Sequence, residues 1–201
     1  MIILGVTGGI GSGKTLVCDL LRIHGIPVYD ADKEAKDLND RSPVIKEKLT
    51  ELFGNELYTG AKLNRSKLAE HIFNDKEKLL TVNKLIHTEL TKHFIEWTKL
   101  NSDHPIVAID AAVLFEANFQ EHVNATITVT APEEVRIYRV LKRDKHLNTE
   151  QIKARMRSQM SEKEKINLSD FIIINDNNHS IIEQTANILN KIANSSNPVL
   201  Y

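Results

Sequence analysis

Near the start of the chain a run of glycines ends in lysine and threonine: Gly8-Gly9-Ile10-Gly11-Ser12-Gly13-Lys14-Thr15. The spacing fits G-x-x-x-x-G-K-[ST], a loop whose backbone N–H groups cradle phosphate. Glycine takes the φ > 0 turns that aim N–H groups at an anion. A helix beginning near Lys14 adds the positive end of its dipole. Lys14 has the reach for the β- and γ-phosphates, and the Thr15 hydroxyl suits Mg²⁺. Gly8, Gly9, Gly11, Ser12, Gly13, Lys14, Thr15 and Leu16 are therefore the candidate contacts to ATP. Five of the eight glycines fall in the first thirteen residues and none follows Gly60, so glycine is concentrated where phosphate must be approached.

Phosphoryl transfer also asks for a base and for mobile cations. Asp32 follows the second strand, where a carboxylate can accept or orient the proton of an attacking hydroxyl. Its structural alternative is an N-cap for a helix starting at Lys33. Asp30 suits the turn. Asp110 ends an apolar strand, a place for a carboxylate in the Mg²⁺ shell or for an Asx turn. Glu116 follows closely and suits a substrate contact or loop stabilisation. Arg139 and Arg143 stand four apart on one helical face, placed to close over the γ-phosphate. On sequence alone His87 reads as a packing or surface histidine and Arg65 as a surface charge.

These residues need a scaffold that brings them to one edge. Five apolar, β-branched runs read as strands: residues 2–7, 26–29, 106–110, 125–130 and 171–174. Helical stretches separate them, which predicts an α/β fold with a five-stranded parallel sheet covered on both faces. Leu16, Val17, Leu20 and Leu21 give the first helix an apolar face, beside Cys18. Between strands two and three the chain is far longer than the dozen or so residues of a simple crossover. Residues 33–100 read as helical throughout, with stripes at Ile45, Leu49, Leu52 and Phe53, at Leu68, Ala69, Ile72 and Phe73, and from Leu79 to Trp97. They are an inserted helical domain at the carboxyl edge of the sheet, where open α/β folds bind ligands. Helices over 133–143 and 149–160 carry a charged stretch, 136–165, that reads as a lid. The nucleotide core is then 1–32, 101–135 and 166–201, with a frayed end from Asn194 to Pro198.

Composition narrows the function classes. The 201-residue chain has a net charge of −1, which gives no reason to expect nucleic-acid or membrane-surface binding. Cys18 is the only cysteine, so no intrachain disulfide forms, which suits a reducing, cytoplasmic setting. There is no apolar run of about 18 residues and no charged leader ahead of the first strand. Guanine recognition requires N-K-x-D; Asn83-Lys84 and Asn190-Lys191 are followed by apolar residues, and no D-x-x-G follows Asp110. Adenine is the better fit. The oligomeric state is left open.

Several motifs, taken in order, resemble the dephospho-coenzyme A kinase family. They are the opening glycine loop; Asp30-Ala31-Asp32, like its D-A-D element; Leu63-Asn64-Arg65, like L-D-R; and Asn83 to His87, like L-N-x-x-x-H-P. They continue with Val113-Leu114-Phe115-Glu116, like P-L-L-F-E; Arg139 to Asp144, like R-x-x-x-R-D; Arg155 to Gln159 with Lys165, like R-I-x-x-Q; and Ser169 to Asn175, like A-D-x-V-I-x-N. Thr88 and Ala112 stand where the family has proline, and Asn177 where glycine is common; none of these removes a charged or phosphate-binding group. The resemblance implies a P-loop kinase with a nucleotide core, a helical acceptor domain and a lid. It would pass the ATP γ-phosphate to the ribose 3′-hydroxyl of dephospho-coenzyme A. It makes Asp32 the base and Arg65, His87, Leu114 and Glu116 acceptor contacts. It places Arg143 near ATP and Asn175 near the adenine. Another nucleotide or nucleoside kinase of the same architecture, and a regulatory ATP-binding module, are the alternatives.

Overall fold

β1 (Ile2–Thr7) is apolar, and its last four residues are buried, as a strand covered on both faces requires. In the computed structural model, which describes residues 1–195, it is the centre of a five-stranded sheet. The other strands are β2 (Val28–Asp30), β5 (Ile106–Asp110), β6 (Ala125–Thr130) and β7 (Phe171–Ile174). The order is β2-β5-β1-β6-β7. β1 pairs parallel with β5, Ile2 opposite Ile106 and Val6 opposite Asp110, and on its other side with β6; β7 runs parallel to β6. The chain therefore leaves β1 toward one edge and later returns to the other. Such a switch point opens a crevice beyond the carboxyl ends of the strands.

α1 (Lys14–Ile23) packs on this sheet through Val17, Cys18 and Leu21, all fully buried with Leu4, Val6, Ala108 and Val129. Leu16 does not join them. It is 49% exposed, one position off the buried face, which corrects the apolar face read from sequence. α9 (Ile181–Ser195) adds Ile188 and Ile192 to the same core. Ser196 to Pro198, part of the expected frayed end, lie outside the described residues.

The chain divides into two compact units, Met1–Val28 with Asn101–Tyr201, and Tyr29–Leu100. The second holds α2 (Ala31–Arg41), α3 (Pro43–Phe53), α4 (Arg65–Ile72) and α5 (Lys76–Leu100). Tyr29 packs tilted on Phe94 and edge-on to Trp97, with centroids 5.1 and 5.4 Å away. Ile45, Leu49, Leu57, Val82 and Leu90 are buried in the same unit. Leu52 and Phe73, placed on apolar stripes from sequence, are 51% and 84% exposed.

This unit is not helical throughout. β3 (Tyr58–Thr59) and β4 (Lys62–Leu63) form a short antiparallel hairpin around Gly60, whose φ of 63° suits its tight turn. Two-residue strands are too short for an alternating pattern to register in sequence. The Tyr58 hydroxyl donates to Asn39 O and the Leu63 N–H to Asp40 Oδ1, so the hairpin is tied to the end of α2.

In the first unit, α6 (Glu133–Arg143) has its expected bounds. The expected 149–160 helix stops early as α7 (Thr149–Arg157), and α8 (Glu162–Leu168) follows. Ser161 and Glu164 form a reciprocal capping box at the start of α8.

Candidate active site

The loop from Gly8 to Gly13 joins β1 to α1 at the carboxyl edge of the sheet. Its own backbone bond runs from Ser12 N–H to Gly9 O, at 3.0 Å. Gly11 and Gly13 have φ of 81° and 97°. At Gly11 a side chain is excluded twice over, since a Cβ there would lie 2.6 Å from the carbonyl oxygen of Arg136. A Cβ on Gly13 would run into the amide of Asn175. Gly13 caps α1 without a side-chain bond, and no acidic residue stands in the first turn. The free N–H groups and the helix dipole thus leave a positive end for an anion.

Lys14 pairs with Asp110 where the side chains are 15% and 8% exposed. Register explains the meeting: Asp110 lies opposite Val6, two residues before the glycine loop. Thr15 is exposed at the same helix end, and the buried Ser12 hydroxyl has no partner among the described residues.

α6 meets the loop from outside. The Arg139 guanidinium donates to Ser12 O at 3.4 Å, to Asn175 Oδ1 at 3.0 Å and to Asn177 Oδ1 at 3.0 Å. Asn175 is buried and passes its own amide N–H to Ser12 O at 2.8 Å. Arg139 and Asn175 thus come together, whereas Arg143 stands exposed at the last residue of α6. Gly13, Leu16, Leu20, Arg139, Asn175 and Ile181 line a cleft of about 610 Å³. The exposed Leu16 therefore faces a cavity. Asn177 sits at φ 72°, a conformation that asparagine tolerates better than most residues and that glycine supplies freely. Beside it, the His179 ring and the backbone N–H groups of Asn178 and His179 hold the Asp176 carboxyl down at about 2.

Glu116 accepts from Met160 N–H at 2.9 Å and from the Lys165 ammonium at 3.0 Å. Lys165 is fully buried and also donates to Ala112 O at 2.7 Å. Leu114 is a core residue whose methyl groups lie against Gly5. Its side chain is committed to the core, so an acceptor contact at this position would come from its backbone.

In the second unit Asp30, not Asp32, caps α2, accepting from Lys33 N–H at 2.9 Å. Asp32 is exposed in the first turn, free of the capping role. Arg65 begins α4 and donates to Lys36 O at 3.0 Å and Asp40 Oδ2 at 3.1 Å. The Leu63 N–H, then Arg65, hold the Asp40 carboxyl below its ordinary range. His87 is half-buried on α5, and burial pushes its pKa below 6.5.

Arg136, Gln159, Glu162 and Lys165 carry no individual role in the sequence reading, although Gln159 and Lys165 stand in a quoted motif and Arg136 in the charged stretch. Arg136 is buried four residues before the buried Val140, so it fills an apolar position of α6. A charge at such a position is the one signal that marks it. Glu162 pairs with it, and burial pushes the Glu162 carboxyl up against the opposing pull of Arg136.

The family model for dephospho-CoA kinase matches residues 2–181. The chain belongs to the dephospho-CoA kinase family. It is thereby an enzyme, a kinase. A dephospho-CoA kinase from Bacteroides fragilis (strain YCH46) is 39% identical over 186 residues, 92% of this chain and 90% of the relative. A crystal structure from Thermus thermophilus superposes with a TM-score of 0.82 at 33% identity, covering 95% of this chain and 97% of that one. The dephospho-CoA kinase from Campylobacter jejuni gives 0.71 at 26% identity, covering 96% and 98%. The α/β fold with its five-stranded parallel sheet is that of P-loop kinases. Among the described residues, no helix is long and apolar enough to cross a membrane.

Proposed function

We propose that the chain passes the γ-phosphoryl group of ATP to the ribose 3′-hydroxyl of dephospho-CoA, giving coenzyme A and ADP. The observation that carries this reading is the family match over residues 2–181, which takes in every residue assigned a role here. In this reading residues 1–32, 101–135 and 166–201 form the nucleotide core, 33–100 the acceptor domain and 136–165 the lid. The reaction belongs in the cytoplasm.

Residues 8–15 hold the phosphates through backbone N–H groups and the α1 dipole. Leu16 and Asn175 border the adenine. Lys14 exchanges part of its attraction to Asp110 for the β- and γ-phosphate oxygens, where negative charge develops during transfer. Arg139 and Arg143 supply further positive charge on the α6 side. Asp32 accepts the proton of the 3′-hydroxyl as its oxygen attacks the γ-phosphorus in line with departing ADP. Arg65 and His87 hold the anionic acceptor, with Glu116 and the backbone at Leu114.

Thr15 and Asp110 fit Mg²⁺. An exposed hydroxyl and a strand-end carboxylate give two oxygen donors, and Mg²⁺ usually completes its shell from phosphates and water. Thr15 and Asp110 would hold such an ion, which would supply positive charge against the phosphates.

Incubating the protein with ATP, Mg²⁺ and a panel of hydroxyl acceptors, and weighing the products, tests the reading. Phosphorylated dephospho-CoA as the main product supports it. A phosphorylated nucleoside or nucleotide in its place overturns it in favour of a related kinase.

A further inference from the structure

Ile10, at the tip of the glycine loop, has both of its backbone polar groups taken by side chains. Its N–H donates to Gln159 Oε1 at 3.0 Å, and its carbonyl accepts from Arg136 Nε at 3.0 Å. Arg136 is only 7% exposed, and its other guanidinium nitrogens are spoken for: Nη1 pairs with Glu162, and Nη2 packs where a Cβ on Gly9 would fall. Gln159 lies in the connection between α7 and α8, and Glu162 opens α8. One buried arginine thus joins the loop tip to the α7–α8 segment.

The consequence follows from the geometry of a trans peptide, in which C=O and N–H point in opposite directions. The carbonyl of Ile10 and the N–H of Gly11 share one such unit. Drawing Ile10 O outward to Arg136 turns Gly11 N–H inward. The same holds one turn on, where Arg139 and Asn175 draw Ser12 O outward and Gly13 N–H faces the other way. Gln159 removes Ile10 N–H from the inner set. The loop left to itself has a single internal bond at its tip and several glycines, so its peptide planes are otherwise loosely determined.

We propose that Arg136 and Gln159 are positioning residues for the triphosphate: they fix the peptide planes of the loop tip so that its N–H groups are preset toward phosphate. This rests on the reading that the loop binds ATP phosphates. The arrangement lowers the ordering cost of binding, because donors already aligned need no rearrangement when the anion arrives. Arg136 suits the task better than lysine, since its planar fork serves a carbonyl and a carboxylate at once.

Affinity for ATP and for adenosine, measured by calorimetry on the full chain, separates positioning from general stability. Adenosine shares the base and ribose but lacks the phosphates. In Gln159→Leu and Arg136→Ala, ATP affinity falls on the order of tenfold, the loss expected for a hydrogen bond that orders the site, while adenosine affinity holds. Arg136→Lys falls between wild type and Arg136→Ala. Should Arg136→Ala fail to fold with Glu162 left buried and unpaired, Arg136→Met with Glu162→Leu removes both charges and is measured in its place. An unchanged ratio of ATP to adenosine affinity in these variants, beside a wild type that binds ATP, overturns the inference alone. A wild type that binds no ATP overturns the reading beneath it.

Discussion

Lys14, the first residue of α1, is ion-paired with Asp110, the last residue of β5. The pair sits where the sheet register sets β5 beside β1, and both side chains are largely screened from water. It gives Lys14 a structural share beside the phosphate-binding role proposed for it. Lys14→Ala leaves a carboxylate buried without this partner, so stability falls by about 2 kcal/mol in urea unfolding. Turnover falls at least ~10²-fold, since charge is lost where the transferring group becomes more negative. Lys14→Ala with wild-type turnover contradicts the role of the loop.

Asp32 and Asp30 separate cleanly. Asp30 caps α2 and Asp32 does not, so Asp30→Ala costs about 1 kcal/mol of stability. Asp32→Asn leaves the melting temperature unchanged and lowers kcat about 10²-fold, with little change in ATP affinity. Near-normal kcat in Asp32→Asn removes the carboxylate from the mechanism.

His87 sets a pH dependence. Burial lowers its pKa below 6.5, so between that value and its folded pKa the unfolded chain binds more protons than the folded one. Its contribution to stability is complete above pH 6.5 and is lost as pH falls through that window. His87→Gln flattens the acid side of a plot of melting temperature against pH. An unaltered slope between pH 7 and 5.5 assigns the acid sensitivity elsewhere.

Lys165 tests the loop that carries Glu116. It is fully buried and bonds both Glu116 and Ala112 O, so Lys165→Ala costs about 3 kcal/mol. Lys165→Met with Glu116→Leu recovers part of that loss, because neither charge is then left alone. A single variant as stable as wild type shows that the pair carries no net stabilisation.

Much of this was legible from residue order. The glycine loop announces itself by composition, and the five strands by short β-branched runs. α6 was bounded correctly because its apolar and charged positions alternate with helical period. The β3–β4 hairpin was missed because two-residue strands have no period to read. The break between α7 and α8 was written in Ser161 and Glu164, a capping signature masked by the charge around it. The lysine and arginine roles were the least legible. Arg136 and Lys165 stand in a stretch crowded with ordinary surface charge; the apolar position of Arg136 on α6 is a faint signal, and Lys165 is set apart by its burial. Asp110 was legible as a strand-end carboxylate, but its pairing with Lys14 depends on which strand lies beside β1.

The central claim is transfer of a phosphoryl group to one hydroxyl of one acceptor. The most direct measurement incubates the purified chain with ATP, Mg²⁺ and dephospho-CoA and locates the new phosphate by phosphorus NMR and mass. The account predicts one added phosphoryl group, on the ribose 3′-oxygen, with one ADP formed for each. ATP consumed without a phosphorylated acceptor, or phosphate carried on a different hydroxyl, contradicts it.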